Sequence, residues 1–491
     1  MKSAIIIGSG FGGLGMAAIL AKQGYQVNVY EKNEQVGGRA SVFEANGFRF
    51  DMGPSWYLMP DVFEDFFSKL GENIHDHLKL TKLDPSYRIF FDTTGKVVDM
   101  SSDIEKVIPI FESLEPGSGP ALRRYLELSK YQYEVAKKDF LYRNYDSIFD
   151  FFNRRTMVEG RKLSVFISMD RYVRKFFKTS ELQKIMQYTL VFLGSSPYNT
   201  PALYNIMSHI DFNLGVYYPD GGLIEVVRAL ERIAKKHGAQ FHLNAPVERI
   251  TVSNGKATGI VLQTGEHVFA DIVVSDADIQ YTEQHLLPES VREYKASYWN
   301  SRVLAPSAFI LYLGINGQVP ELIHHNLFFA EDWKQNFAEI FDNPVWPENP
   351  SLYICAPSKT DSSVAPQGKE NLFILVPIAS NLKATPEQLQ TYAKKVIDLM
   401  EQKMGIKDLH SRIEFQRIFS VDDFAKRYNS FGGSALGLAH TLRQTAIFRP
   451  KNINKKVSGL YYVGAGVNPG IGMPICLISA ELAWKRIAGV K

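Results

Sequence analysis

The first residues able to do chemistry form a GxGxxG motif, GSGFGG at positions 8–13. The motif directly follows the apolar run Ala4–Ile7 and opens a helix-forming segment. Gly8 permits a tight turn, Gly10 lets the backbone approach a pyrophosphate, and Gly13 allows a helix to pack closely on a strand. The helix N-terminus stabilises phosphate charge. The spacing therefore predicts a dinucleotide-binding βαβ unit.

Glu31 directly follows the second apolar run, Val27–Tyr30. It stands about 20 residues beyond the glycines, where a carboxylate accepts hydrogen bonds from a ribose diol. The same carboxylate repels a 2′-phosphate. The pair of motifs therefore predicts a dinucleotide other than NADP.

Residues 32–39, KNEQVGGR, extend this second motif. Gly37 and Gly38 let the chain lie close to a cofactor, and Arg39 offers a fixed cation near a diphosphate. Here the sequence resembles the two-dinucleotide-fold FAD enzymes, which include amine oxidases and carotenoid desaturases. We therefore expect FAD as the cofactor.

A second glycine-rich segment, YVGAGVNPGIGMP, occupies positions 462–474 between the predicted strand Leu460–Val463 and the predicted helix Pro474–Ala488. It resembles the flavin-side motif of bacterial-type phytoene desaturases. Its amide groups and helix dipole are placed to stabilise negative charge on reduced flavin. One departure is Val467-Asn468, where many relatives have Thr-His.

The resemblance extends over nearly the whole chain, through segments 51–55, 192–197, 218–222, 356–361 and 442–446. The chain is thereby identified as a member of the bacterial phytoene desaturase family. By this similarity Val247 contacts the adenine through its backbone. The cofactor-binding residues that the resemblance implies are Gly8, Gly10, Gly13, Glu31, Lys32, Gly38, Arg39, Gly53, Pro54, Ser55, Val247, Gly464, Asn468, Pro469, Gly470, Gly472, Met473 and Pro474.

The resemblance also implies a reaction, the FAD-dependent desaturation of a long polyene isoprenoid, with phytoene converted towards neurosporene or lycopene in carotenoid biosynthesis. A quinone or oxygen is the expected electron acceptor. Such a substrate has no polar handle, so binding needs a long apolar channel in which each buried CH2 contributes roughly 0.8 kcal/mol. Three alternatives stay open: a desaturase or oxygenase acting on a C30 or modified carotenoid, a flavin amine oxidase, and a non-catalytic binding protein similar to GDP-dissociation inhibitors.

An acid–base group is harder to assign from sequence. Asp170, Arg171 and Arg174 are the catalytic candidates, because a carboxylate beside two cations suits proton transfer. A second interpretation is that Met169–Lys178 forms a solvated helix face. A third interpretation is a membrane interface, since cations alternate with aromatics over Arg171–Lys178.

These motifs must be positioned by an α/β fold, with a Rossmann-like FAD-binding domain of two-dinucleotide-binding, amine-oxidase-like architecture and an inserted mixed α+β substrate domain. We predict that residues 1–54, 219–278 and 426–491 form the discontinuous FAD-binding domain. Residues 55–218 and 279–425 form the substrate domain, which associates with the membrane. An Asn254-Gly255 turn is expected between two strands of the first domain.

Composition narrows the class of protein. Hydrophobic residues make up 45% and charged residues 22% of the 491, typical of a folded globular chain. A net charge of +3 is too small to indicate nucleic-acid binding. Cys355 and Cys476 lack metal-ligand spacing, and the His324-His325 doublet suits packing, so no metal is expected. Without a signal peptide or a spanning apolar run, we expect a cytoplasmic protein peripherally associated with the membrane.

Overall fold

The computed structural model describes residues 1–147 and 167–490. The strands within these ranges are β1 Ser3–Ile7, β2 Gln26–Tyr30, β3 Val42–Ala45, β4 Phe48–Asp51, β5 Leu80–Lys82, β6 Tyr87–Phe91, β7 Val97–Met100, β8 Tyr217–Pro219, β9 Gln240–His242, β10 Val247–Ser253, β11 Lys256–Leu262, β12 His267–Phe269, β13 Ile272–Ser275, β14 Ser307–Asn316, β15 His325–Phe329, β16 Leu352–Cys355, β17 Lys369–Ile378, β18 Ile413–Phe419 and β19 Leu460–Tyr462. The α-helices are α1 Phe11–Lys22, α2 Pro60–Lys69, α3 Ile104–Leu114, α4 Ser118–Ala136, α5 Met169–Val173, α6 Ser180–Gln187, α7 Ile206–His209, α8 Ile224–Lys236, α9 Ile279–Tyr281, α10 Ala296–Asn300, α11 Trp333–Phe341, α12 Pro386–Met404, α13 Val421–Tyr428 and α14 Met473–Ala488.

A five-stranded parallel sheet carries both glycine motifs. Its order is β19-β13-β1-β2-β9, with Ile5 paired to Asn28 on one side and Val273 on the other. Helix α1 packs against α8 and α14 and is buried along almost its whole length. The predicted strands and helices of this unit are confirmed, because apolar runs without alternation suit strands covered on both faces. The predicted α/β class follows from this sheet.

Strands β10, β11 and β12 form a separate antiparallel sheet. Asn254 and Gly255 join the first two of them with φ of 50° and 71°. Positive φ at both central positions is the type I′ geometry that favours Asn-Gly. The predicted turn is therefore confirmed.

A seven-stranded mixed sheet has the order β18-β14-β17-β16-β15-β6-β7. Strands β6 and β15 pair in parallel, with Ile89 opposite Leu327. This pairing joins residues 55–218 to residues 279–425, the two separate segments that we expected to come together. The domain boundaries themselves stay a prediction. In the described part of the chain, no helix is both long and apolar enough to cross a membrane.

Candidate functional site

A cavity of about 1130 Å³ connects the two large sheets. Its walls include the turns that follow β1, β2 and β13, the segment after β19, and residues of β14, β15 and β17. Sixteen of the eighteen predicted cofactor residues line it, namely Gly8, Gly10, Glu31, Lys32, Gly38, Arg39, Gly53, Pro54, Ser55, Val247, Gly464, Asn468, Pro469, Gly472, Met473 and Pro474. Gly13 and Gly470 lie behind this wall, Gly13 against the Gly8 carbonyl and Gly470 against the His440 imidazole.

The glycines around the start of α1 form a cradle that tolerates no side chain. A Cβ at Gly12 would lie 2.6 Å from the amide nitrogen of Gly464, and one at Gly53 would lie 2.6 Å from the Arg39 carbonyl oxygen. The N-cap residue Gly10 has no side chain to cap the helix. Backbone approach of this kind, at a helix N-terminus, fits the diphosphate of a dinucleotide.

Glu31 is buried at the end of β2 and held by four donors. Its Oε2 accepts from the backbone N–H and hydroxyl of Ser9 at 2.9 and 2.8 Å. Its Oε1 accepts from the backbone N–H and side-chain amide of Asn33, both at 2.9 Å. The carboxylate is thereby fixed in the cavity wall, at the position that the sequence assigns to a ribose diol.

Arg39 places an unpaired hydrogen-bond donor in the cavity wall. Its Nη2 donates to Ser430 Oγ at 3.0 Å, while its Nε is buried with no hydrogen-bond partner. A buried guanidinium nitrogen without a partner is costly, so a bound phosphate oxygen is the group it fits. Lys32 differs, since its ammonium donates to the Lys426 carbonyl and to Asn429 Oδ1. The Lys32 stem lines the cavity, and its charge anchors the end of α13.

Asp276, which sequence reasoning missed, also lines the glycine cradle. Its carboxyl oxygens lie against the glycines, since a Cβ added at Gly10, Gly12 or Gly13 would meet one of them at 2.6, 2.5 or 3.1 Å. Burial raises the pKa of Asp276 to about 7, and the nearby Glu31 carboxylate adds to the rise. The available signal was its place one residue beyond β13, at the sheet edge where the GxGxxG turn begins.

At the other glycine-rich segment, Arg449 holds the backbone. Its buried guanidinium donates to the carbonyls of Leu438, Ala465 and Val467 at 3.2, 2.7 and 3.1 Å. These bonds fix the turn that leads into Asn468. Burial lowers the pKa of Arg449 to about 10. The side chain therefore remains a cation at neutral pH.

His440 lies against this turn and lines the cavity. Its Nδ1 is 3.1 Å from the Leu193 carbonyl oxygen, and its Nε2 packs on Gly470. Burial, with Arg449 nearby, lowers the pKa of His440 to about 3. The imidazole is therefore neutral at pH 7. Sequence reasoning missed His440, because it lies 28 positions before Asn468 outside every motif.

The rest of the cavity is apolar. Aliphatic and aromatic side chains from α7, β14, β15 and β17 line it, including Met207, Ile310, Phe329 and Phe373. Two lining side chains, Leu442 and Phe448, are also 43% and 53% exposed. They mark a rim at which the cavity meets solvent.

A chain of hydrogen bonds leads from the cavity wall into the mixed sheet. Ser55 Oγ lies 2.6 Å from the Tyr353 hydroxyl, which lies 2.9 Å from His325 Nδ1. Pairing of β15 with β16 also brings the ligand-capable atoms of His324, His325 and Cys355 within 4.8 Å of one another. Burial raises the pKa of the Cys355 thiol to about 12, which keeps it protonated.

The three catalytic candidates do not lie at this cavity. Arg174 Nε donates to both carboxylate oxygens of Asp170, at 3.0 and 2.9 Å, and Arg171 is exposed. Of the aromatics in the run, Tyr172 and Phe177 are buried and Phe176 is half-buried. The geometry thus gives no support to proton transfer by these residues. The exposed side chains of the run are therefore its cations, and the aromatics between them are not fully exposed.

Comparison with known proteins identifies relatives over the full length. The family model described as flavin containing amine oxidoreductase matches residues 11–488. A carotenoid 3,4-desaturase of Haloarcula japonica is 47% identical, with 97% of this chain and 96% of that protein covered. A zeta-carotene-forming phytoene desaturase of Myxococcus xanthus is 37% identical, with 98% and 93% covered.

Among solved structures, an oxidoreductase from Methanosarcina mazei has a TM-score of 0.63 at 17% identity. The alignment covers 97% of this chain and 98% of that one. At such low identity the similarity shows the fold alone. It confirms the fold class expected from the sequence.

Proposed function

Because this chain belongs to the carotenoid desaturases of the flavin-containing amine oxidoreductase family, and is an FAD-dependent oxidoreductase, we propose that it desaturates the 3,4 carbon–carbon bond of a long carotenoid. The observation that carries this proposal is the continuity of one cavity, which joins a glycine cradle suited to a diphosphate with an apolar compartment. The 47% identity to a carotenoid 3,4-desaturase supports the choice of bond.

In this proposal FAD is held by the sixteen cavity-lining residues named above. The Arg39 guanidinium binds the diphosphate and Glu31 binds the ribose. Pro469, and Met473 at the start of α14, would contact the flavin ring. When bound, FAD supplies the acceptor for a hydride equivalent.

The chain's own contribution is to position the polyene and to exclude water. Side chains such as Ile310, Phe329 and Phe373 hold the hydrocarbon by burial, at roughly 0.8 kcal/mol for each CH2. Because the substrate offers no polar group, its position along the channel sets which carbon–carbon bond reacts.

The second hydrogen leaves as a proton, and a weak base can accept it, since a C–H bond beside a carbon that has lost hydride is strongly acidic. The C–H electron pair becomes the new double bond.

A second candidate, desaturation of phytoene towards neurosporene or lycopene, is favoured by the 37% identity to the Myxococcus protein. The two candidate reactions are distinguished by mixing purified protein with liposomes that contain one of two substrates. One substrate is phytoene, and the other is a carotenoid whose conjugated chain is complete except at the 3,4 bond. Each new double bond lengthens the conjugated system and shifts absorption to the red. Conversion of the 3,4-saturated carotenoid alone supports our proposal, and conversion of phytoene alone supports the second candidate.

We also propose that the enzyme works at a membrane surface. Moving some forty carbons into water costs on the order of tens of kcal/mol, so a carotenoid must pass from bilayer to cavity without crossing water. The exposed side chains of Leu442 and Phe448 lie where such transfer would occur. A quinone or oxygen would be the final acceptor of the electrons removed from the carotenoid.

A further inference from the structure

Asp276 lies in the glycine cradle itself. Its carboxyl oxygens would lie 2.6 Å from a Cβ at Gly10 and 2.5 Å from one at Gly12 or Gly464. The carboxyl therefore closes the N-terminus of α1, a place that Gly10 cannot cap. An acidic group thus shares the region that the preceding proposal gives to a diphosphate.

The charges around Asp276 come from several elements. Glu31 at the end of β2 is a neighbouring negative charge, and Arg39 is a neighbouring positive one. Asp278, two residues along its own segment, also lines the cavity, and the Cys476 thiol of α14 lies within electrostatic reach. Ionised Asp276 beside an ionised diphosphate would place like charges together in a buried site.

We propose that FAD binds to the form of the protein in which the Asp276 carboxyl is protonated, so that cofactor binding takes up one proton. The protonated group keeps a carbonyl oxygen for an amide of the cradle. It also gains an O–H that can donate to a phosphate oxygen. Protonation thereby replaces a repulsion by a hydrogen bond. The inference rests on the proposed position of the diphosphate.

The sign of the pH effect follows from this linkage. Burial already raises the pKa of Asp276 to about 7 without FAD, and the diphosphate would raise it further. Below about pH 7 the free protein carries the proton and FAD affinity is independent of pH. Above that value the proton must be acquired on binding, so the dissociation constant of FAD rises about tenfold per pH unit.

The experiment measures release of FAD from diluted holoenzyme by flavin fluorescence between about pH 6 and about pH 9. The diphosphate of FAD stays ionised throughout this range, so a bound proton belongs to the protein. We expect the wild-type dissociation constant to rise with a slope approaching one above about pH 7. Asp276→Asn keeps an amide-accepting oxygen, and we expect its dissociation constant to be flat and lower than that of wild type at high pH.

Asp211→Asn is the matched control. Burial likewise raises the pKa of Asp211 to about 7, but this residue accepts from Tyr87 and Tyr188 and does not line the cavity. Its variant should keep the wild-type slope. A pH-independent wild-type affinity overturns the inference even if no variant folds. If Asp276→Asn weakened FAD binding by the same factor at every pH, the inference would also be overturned. Asp276 would then act only as a helix cap. A wild-type protein without FAD would refute the cofactor assignment instead.

Discussion

Ser9 donates two hydrogen bonds to one oxygen of Glu31, from its backbone N–H at 2.9 Å and its hydroxyl at 2.8 Å. The residue inside the GxGxxG turn thus fixes the acid at the end of the next strand. The two motifs that were separate in sequence form one rigid unit, because β1 and β2 are adjacent in the parallel sheet. Glu31 is therefore the residue of this unit that the first prediction changes.

Replacing Glu31 with Arg should abolish FAD retention while most of the fold survives. The substitution removes a buried charged acceptor and places a cation against the ribose, so we expect affinity to fall by about 10–100-fold or more. The measurement is the FAD-to-protein ratio after gel filtration. Glu31→Gln checks the result with a smaller perturbation. Glu44→Arg is the control, since Glu44 is exposed and does not line the cavity. Normal FAD content in Glu31→Arg would exclude Glu31 from the site.

Turnover should need no added NAD or NADP. The sequence carries one GxGxxG fingerprint, at the turn after β1, and Glu31 there suits FAD. We expect repeated desaturation with a quinone or oxygen as acceptor, measured as product per enzyme over many cycles. Strict dependence on NAD(P), with quinone and oxygen ineffective, would contradict this expectation.

Sequence motifs selected residues that line one cavity, because the glycine spacing and the strands beside it are local features of the chain. Asp276 and His440 escaped prediction, since each reaches the cavity only through tertiary packing. The geometry does not support Asp170 as an acid–base group, because a short helix places its carboxylate against Arg174. The grouping of His324, His325 and Cys355 depends on β15–β16 pairing, which spacing in the chain does not reveal.

Asp211 should make folding stability fall with rising pH. Its pKa is about 7 in the folded protein, because of burial, against about 3.9 in an unfolded chain. The folded state therefore binds more protons between these values. The stabilising contribution is complete below the unfolded pKa and is lost as pH rises through the folded pKa. We expect the Tm of wild type minus that of Asp211→Asn to decrease from about pH 4 to about pH 8. A constant difference would exclude this linkage.

The last prediction concerns the membrane-facing surface, for which the chain offers two candidates. One is the row of exposed cations Arg174, Lys175 and Lys178, whose neighbouring Phe177 is buried. The other is the cavity rim, represented by Phe448 at 53% exposure. Attraction by the cations should weaken with salt, whereas insertion of apolar side chains should depend little on ionic strength.

We therefore compare two variants for sedimentation with anionic and neutral liposomes and for desaturation of lipid-embedded substrate. In one variant Arg174, Lys175 and Lys178 are all changed to Glu, and in the other Leu442 and Phe448 are changed to Asp. The rim variant should lose binding to both lipids, together with desaturation, because the cavity lining includes both residues. The cation variant should lose only the salt-sensitive part of binding to anionic lipid. FAD content is measured in both as the check on folding. Wild-type sedimentation and desaturation in the cation variant would show that the run is a solvated helix face. The same result in the rim variant would place the lipid contact elsewhere on the protein.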